Sequence, residues 1–301
     1  MITATDSAKH TNRKEEFPMN LIHHQNFDEE RALYGLQDAH VQFCTFAGPA
    51  DGESALKECR NLILEDCEFH LRYPFWHVTN ADIRRITMSE TCRAAFWYDK
   101  HLHIFDSTLG GIKAFREMDG CSLKNCTINS KEFGWMCRGL WIWDCNMESE
   151  YPFLQCRDME IDGLEMKAKY SFQYCRNVTI RNSRLDTKDA FWHGQNITVY
   201  DSVVKGEYLG WYAENLKLVR CKIIGTQPLC YCKGLTLVDC EMVDCDLSFE
   251  NSEVNATVKG SIDSVKNPAG GSITAEAIGE IILDEYQHNP GGTEIRIASP
   301  V

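Results

Sequence analysis

Residues 59–67 read "CRNLILEDC", and the phrase returns as "CRGLWIWDC" at 137–145, "CRNVTIRNS" at 175–183 and "CKGLTLVDC" at 232–240. Each copy opens on Cys, a basic residue and Asn or Gly, then carries apolar residues at every second position, Asp or Asn, and a closing Cys or Ser. Alternation with period two is the mark of a strand with one face buried. Asn, Asp and Gly are the residues that tolerate a left-handed backbone, so they read as tight corners at both ends. One such phrase is therefore a corner, a short strand and a second corner.

Frames extended from Cys59 fall at Asn80, Asp99, Met118, Cys137, Cys156, Cys175, Gly194, Ala213, Cys232 and Asn251. The spacing is 19 residues except for the first step of 21, which places a two-residue insertion at Val78 and Thr79. One apolar column runs Leu62, Ile83, Leu102, Cys121, Leu140, Met159, Val178, Ile197, Leu216, Leu235 and Val254. A second, two residues on, is interrupted by Arg85 alone. Several short strands in 19 residues leave no room for the helices of a doubly wound α/β fold, nor for helical repeats or propeller blades. The pattern predicts an all-β right-handed parallel β-helix of about 11 coils, each stacked on the last at about 4.8 Å.

The expected boundaries are a polar leader over 1–19, an N-terminal cap and irregular first coil over 20–58, regular coils over 59–258, and a final coil, cap and tail over 259–301. The rod itself is expected from about 35 to 285. The segments "NFDEERALYG" and "EAIGEIILDE" are expected to cover its ends, because open strand edges invite aggregation.

The chain has 301 residues, 44% of them hydrophobic, and a formal net charge of −13. Scattered acidic charge argues against a nucleic-acid partner, which requires clustered Lys and Arg. No apolar run is long enough to span a membrane, and the start has no apolar signal core. These features predict a cytoplasmic protein, where cysteines persist as thiols. Five of the 15 cysteines share one column (Cys59, Cys137, Cys156, Cys175, Cys232) and five another (Cys67, Cys126, Cys145, Cys221, Cys240). The second column exchanges with Met88, Leu164, Ser107, Ser183 and Ser202, as small inward side chains do. No CxxC pair is present, so the thiols read as core packing and no metal is expected. "HLH" at His101 and His103 puts two imidazoles on one strand face without a third ligand. No phosphate-cradling Gly loop or GxSxG elbow occurs, and no cofactor is expected.

The strings "FDEERALYG" (27–35), "GPADGESALKECRNLILEDCEF" (48–69), "YPFWH" (73–77) and "GSIDSVKNP" (260–268) resemble the bacterial proteins grouped as DUF3737. The resemblance covers nearly the whole chain from about residue 20. It implies a pectin-lyase-like parallel β-helix and brings no catalytic residues with it.

The last strand of each coil reads "YPFWH", "AAFWY", "KAFRE", "EFGWM", "YPFLQ", "YSFQY", "DAFWH", "YLGWY" and "QPLCY". Trp76, Trp97, Trp135, Trp192 and Trp211 form one register, interrupted by Arg116, Leu154 and Gln173. Phe75, Phe96, Phe115, Phe153, Phe172 and Phe191 form the adjacent one. Neighbouring strand residues point oppositely, so one aromatic register is expected to face outward. The absence of charge favours burying Phe, whereas parity with the cysteine column favours exposing it together with Tyr98 and Tyr174. An exposed apolar strip marks a binding surface or an interface. Sugar rings stack on aromatic rings, and their hydroxyls bond acids and amides, so a carbohydrate ligand is the leading expectation. Trp97, Trp135, Trp192, Trp211, Tyr98, Tyr174 and Arg116 are the candidate binding residues, with His77, Gln155 and Gln173 beside them. Glu117, Glu132, Asp189 and His193 are the candidate acid/base groups of a hydrolase- or lyase-like reaction, which requires two carboxyls about 5–10 Å apart. The alternative is a non-catalytic scaffold that binds a partner, or a second copy of itself, through the strip.

Overall fold

Asn61, Asn80, His101, Gly120, Gly139, Asp158, Asn177, Asn196, Asn215 and Gly234 take φ between 54° and 65°. A left-handed residue bends the chain sharply within a single position, and Asn, Asp and Gly adopt it at least cost. In this computed structural model, which describes residues 19–48 and 53–298, each such corner lies at the start of a strand on the rod's longest side. Arg60–Glu65, Lys100–Phe105, Arg138–Trp143 and Arg176–Arg181 are four of these strands. The corner amides also bond along the rod: Asn196 Nδ2 donates to Asn177 Oδ1 at 3.2 Å, and Asn215 Nδ2 to Asn196 Oδ1 at 3.0 Å.

Successive turns pair in parallel. One interior column runs Ile22, Val41, Leu64, Ile83, Ile104, Leu123, Ile142, Ile161, Ile180, Val199, Leu218, Leu237, Ala256, Ile273 and Ile295. The protein is an all-β parallel solenoid of about 14 turns, with no helix among the described residues. The expected 11 coils fall short because both presumed end caps are themselves turns of the stack. Asn26–Phe27 pairs with Thr45–Phe46, and the backbone N–H groups of Arg31, Leu33 and Gly35 donate to the carbonyls of Glu53, Ala55 and Lys57. Ala277–Ile282 likewise pairs with Ser261–Lys266, and Thr293–Ile297 adds a further strand. Of the expected leader, all but Met19 lies outside the described residues.

The frame also moves in one place. Leu64 lies opposite Ile83, Phe69 opposite Met88, but Phe75 opposite Phe96. The two extra residues therefore fall between Met88 and Phe96, not at Val78 and Thr79. With that shift Asn80 rather than Asp82 holds the corner, and Ile86 rather than Met88 holds the second thiol column. Arg85 ceases to be a violation. It occupies an outer corner at φ 51°, above Asp66, and donates to Asp66 Oδ1 through Nε at 2.8 Å.

The interior is filled by side chains stacked from turn to turn. Phe46, Phe69, Phe75, Phe96, Phe115, Phe133, Phe153, Phe172 and Phe191 are all buried, and consecutive rings lie within 6.0 Å. Each buried ring contributes about 2–3 kcal/mol of transfer free energy. All 15 cysteines are free thiols and buried. Several of their Sγ atoms donate to carbonyls of the preceding turn, among them Cys175 to Phe153 O at 2.9 Å and Cys232 to Gly210 O at 3.0 Å. Desolvation pushes Cys59 up to about 11 and Cys67 up to about 12. Among the described residues no three His, Cys, Asp or Glu side chains converge as metal ligands would.

Candidate functional site

The third side of each turn carries the aromatic phrases. Phe75–Trp76, Phe96–Trp97 and Phe115–Arg116 pair in parallel, with Phe inward and the Trp or Arg partly exposed. Counting alternate residues back from the cysteine column would expose the phenylalanines. The count fails because His77, Tyr98, Glu117, Met136, Gln155, Tyr174, His193, Tyr212 and Tyr231 are corners, with φ between 52° and 59°. A left-handed corner places its own side chain and the one before it on the same outer side. Two adjacent outer columns result, one led by tryptophan and one at the corner.

Within these columns the rings stack on one another along the rod. In the lower half Lys57 Nζ lies 4.0 Å over Trp76, and Trp76 stacks on Trp97 at 5.7 Å. The Arg116 guanidinium then lies 5.4 Å from the ring of Trp97 and 5.3 Å from that of Trp135. Tyr98 stacks on His77 at 5.1 Å, and Trp97 Nε1 donates to Glu117 Oε1 at 3.4 Å. In the upper half Trp192 stacks on Trp211 at 5.6 Å. The upper corner column stacks as Tyr174 on His193 at 5.0 Å, His193 on Tyr212 at 5.1 Å and Tyr212 on Tyr231 at 4.9 Å. The indole N–H groups of Trp135 and Trp192 donate to the next turn, to Tyr151 O and Tyr208 O, both at 2.7 Å, whereas that of Trp76 is buried without a partner.

A stacked ring offers solvent its edge, and a sugar binds its face. The ladders therefore present open faces only where they stop: the tryptophan column is interrupted at Leu154 and Gln173 and the corner column at Glu117, Met136 and Gln155, so that both are interrupted at the turn of Leu154 and Gln155. There an open groove of about 440 Å³ is lined by Met136, Gln155, Arg157, Tyr174 and Arg176. Tyr174 is 49% exposed, and its ring stacks on the His193 side only. The side-chain amides of Gln155 and Gln173 have no partner among the described residues. Met136 and Tyr174 stand two turns apart, about 10 Å along the rod.

A profile described as "Protein of unknown function (DUF3737)" matches residues 20–296. The chain belongs to the DUF3737 family. Among curated protein sequences none matches it. In fold, this DUF3737 chain is similar to PfbA, a surface adhesin of Streptococcus pneumoniae, at 11% identity and TM-score 0.47, over 79% of this chain and 82% of that one. It is also similar to the A-module of the Azotobacter vinelandii mannuronan C-5 epimerase AlgE6, at 10% identity and TM-score 0.38, over 94% and 91% of the two chains. A third similar structure is the catalytic domain of an α-1,3-glucanase in complex with tetrasaccharides, at 10% identity and TM-score 0.35, over 93% and 64%. Such distant likeness leaves function to be argued from this chain's own residues.

The DUF3737 chain does not gather the four acid/base candidates. Glu117 and His193 share the corner column but stand four turns apart, roughly 19 Å. Glu132 pairs with Tyr151, Tyr151 stacks on Tyr170, and Tyr170 pairs with Asp189, which separates the two acids by three turns, roughly 14 Å. Glu132 lies 3.6 Å from Lys113 Nζ. Asp189 is buried with Oδ1 unpartnered; desolvation and the nearby Glu207 push it up to about 6, against the pull of Lys188. His193 is held between two tyrosines. What the fold does bring together is Trp97, Arg116 and Trp135 below the groove, with Tyr98 and Glu117 alongside, and Tyr174, His193, Trp192 and Trp211 above it.

Two aromatic residues outside the candidate set are also open to solvent. Trp141 and Trp143 are 37% and 38% exposed on the strand Arg138–Trp143, opposite Glu160 and Asp162. Leu140 and Ile142 point inward, so strand alternation alone places these two outward. His101 is a corner residue rather than a strand partner of His103, whose Nδ1 lies 2.8 Å from Ser122 Oγ.

Proposed function

We propose that this protein binds a short saccharide in the groove between the two aromatic ladders. The observation that supports the reading is the break itself. Both columns of rings are interrupted at the turn of Leu154 and Gln155, leaving the free face of Tyr174 beside the unpartnered amide of Gln155, with Gln173 next to Tyr174 in the chain. A pyranose ring has an apolar C–H face that suits the tyrosine and hydroxyls that suit amides. The separation of Glu117 from His193 and of Glu132 from Asp189 favours binding over cleavage of a glycosidic bond. It also favours a ligand over a second copy of the chain, because the ladders have used most of their ring faces on each other. Fifteen free, buried thiols suit a reducing compartment, and we place the protein in the cytoplasm on that ground.

The test is calorimetric titration of the full chain with a panel of trisaccharides, repeated with Tyr174→Ala. Saturable binding that weakens in the variant, at unchanged melting temperature, supports the reading. Binding of equal strength in the two proteins, or no binding to any saccharide, overturns it.

A further inference from the structure

The groove has a charged lip. Arg138, Arg157 and Arg176 lie opposite one another in three consecutive strands, between Asp119 on one side and Gln195 on the other. The backbone N–H groups of Arg138, Arg157 and Arg176 donate to the carbonyls of Met118, Cys137 and Cys156 in turn, so the three side chains leave the sheet at the same point of successive turns. Like charges stacked at one strand spacing, about 4.8 Å, repel. In a chain of net charge −13, an acid could have stood at any of these positions. Only Arg138 meets an acid, with Nε 3.8 Å from Asp158 Oδ2, and that carboxylate also accepts from Asn177. Arg157 and Arg176 are exposed, and neither has a hydrogen-bond, ion-pair or ring partner among the described residues. Both line the groove that holds Tyr174 and Gln155.

We propose that the groove selects an acidic sugar, with Arg157 and Arg176 receiving its carboxylate or sulfate while the ring lies against Tyr174. The inference rests on the saccharide reading and narrows it to one class. A guanidinium pairs with a planar carboxylate through two parallel N–H donors and with a sulfate in a similar fork. Two such forks about 4.8 Å apart match acidic groups carried by one sugar or by its immediate neighbour. The acidic remainder of the rod repels a long polyanion, which limits the ligand to the few sugars that three turns can span.

The experiment titrates the full chain at low salt with three probes of equal length: a uronic-acid trisaccharide, a sulfated trisaccharide and a neutral trisaccharide. Inorganic sulfate is titrated alongside. Arg157→Gln and Arg176→Gln, singly and combined, are exposed changes whose folding is checked by melting temperature. The expected result is that one acidic probe binds about ten- to a hundredfold more tightly than the neutral one. The double variant should lose that advantage, keep its neutral-sugar affinity, and flatten the salt dependence. Which acidic probe leads identifies carboxylate or sulfate. Neutral binding as tight as acidic overturns this inference and leaves the saccharide reading standing. Inorganic sulfate binding as tightly as either acidic sugar, or an unaffected double variant, also overturns it. Binding of none of the sugars removes both readings.

Discussion

Tyr174 lies flat on His193, with ring centroids 5.0 Å apart and planes within 6°, while its other face meets open groove. His193 is covered on both faces, by Tyr174 and by Tyr212. The two residues are neighbours in one column, yet only the first can receive a sugar. Tyr174→Ala should weaken saccharide binding by about 1–3 kcal/mol, taking base–aromatic stacking as a loose analogue. His193→Ala should weaken it much less. Parallel titrations of both variants check the contrast, and equal losses would contradict the assignment of the open face.

Arg116 occupies a tryptophan position and keeps the lower ladder continuous by standing between Trp97 and Trp135. Its Nε is buried without a hydrogen-bond partner, so its stabilising contacts are the two ring faces. Arg116→Ala should cost roughly 1–3 kcal/mol from two cation–π contacts and lost packing. Arg116→Lys should recover only part, because an ammonium is not planar. Urea denaturation of both variants measures this, and full recovery by lysine would show that charge alone matters.

Asp99 stands in the first thiol column, fully buried. Val78 N–H donates to its Oδ1 at 2.7 Å, and Oδ2 has no partner. Desolvation holds the carboxyl far above the usual carboxylate range, against the backbone hydrogen bonds of Val78 and Trp97. A carboxyl whose pKa rises on folding contributes fully only below its unfolded value, about 4, and loses that contribution as the pH climbs toward the folded one. Asparagine keeps the acceptor and stays neutral. Asp99→Asn should therefore stabilise the protein at pH 7 by roughly 1–3 kcal/mol, with the gap narrowing toward pH 4. Denaturation at the two pH values decides, and a gap independent of pH would contradict the account.

Cys59 and Cys67 shift in the same direction for the same reason. Cys59 and Cys67 stay neutral in the folded protein up to about 11 and about 12. Unfolded thiols ionise near 8.5, so the stabilisation from burying neutral thiols is complete below that pH and is lost as the pH rises through the folded values. A thiol reagent at pH 8 should label none of the 15 cysteines in the native protein and all of them in denaturant. Rapid native labelling of several would refute the packing role.

The 19-residue spacing of Cys137, Cys156 and Cys175 was enough to read coil, corner and core, because a solenoid repeats the same physical problem at every turn. Two features escaped it. Spacing alone puts the insertion at the first visible break, Val78 and Thr79, although a loop such as the one between Met88 and Phe96 absorbs extra residues without disturbing strand register. The outward register was ambiguous because period-two counting holds along a strand and not across a left-handed corner such as His77 or Tyr98. Glu117, Glu132, Asp189 and His193 were legible as polar breaks in aromatic columns, but their separation depends on how many turns lie between them. That aromatic rings would spend their faces on one another, leaving Tyr174 as an open end, follows from ring orientation and not from composition.

The most direct measurement is a crystal structure of the protein with a bound trisaccharide. The account predicts a sugar ring between Met136 and Tyr174, its apolar face on Tyr174 and its hydroxyls on Gln155 or Gln173. A sugar seated instead over Trp141 and Trp143, with the groove left open, would contradict it.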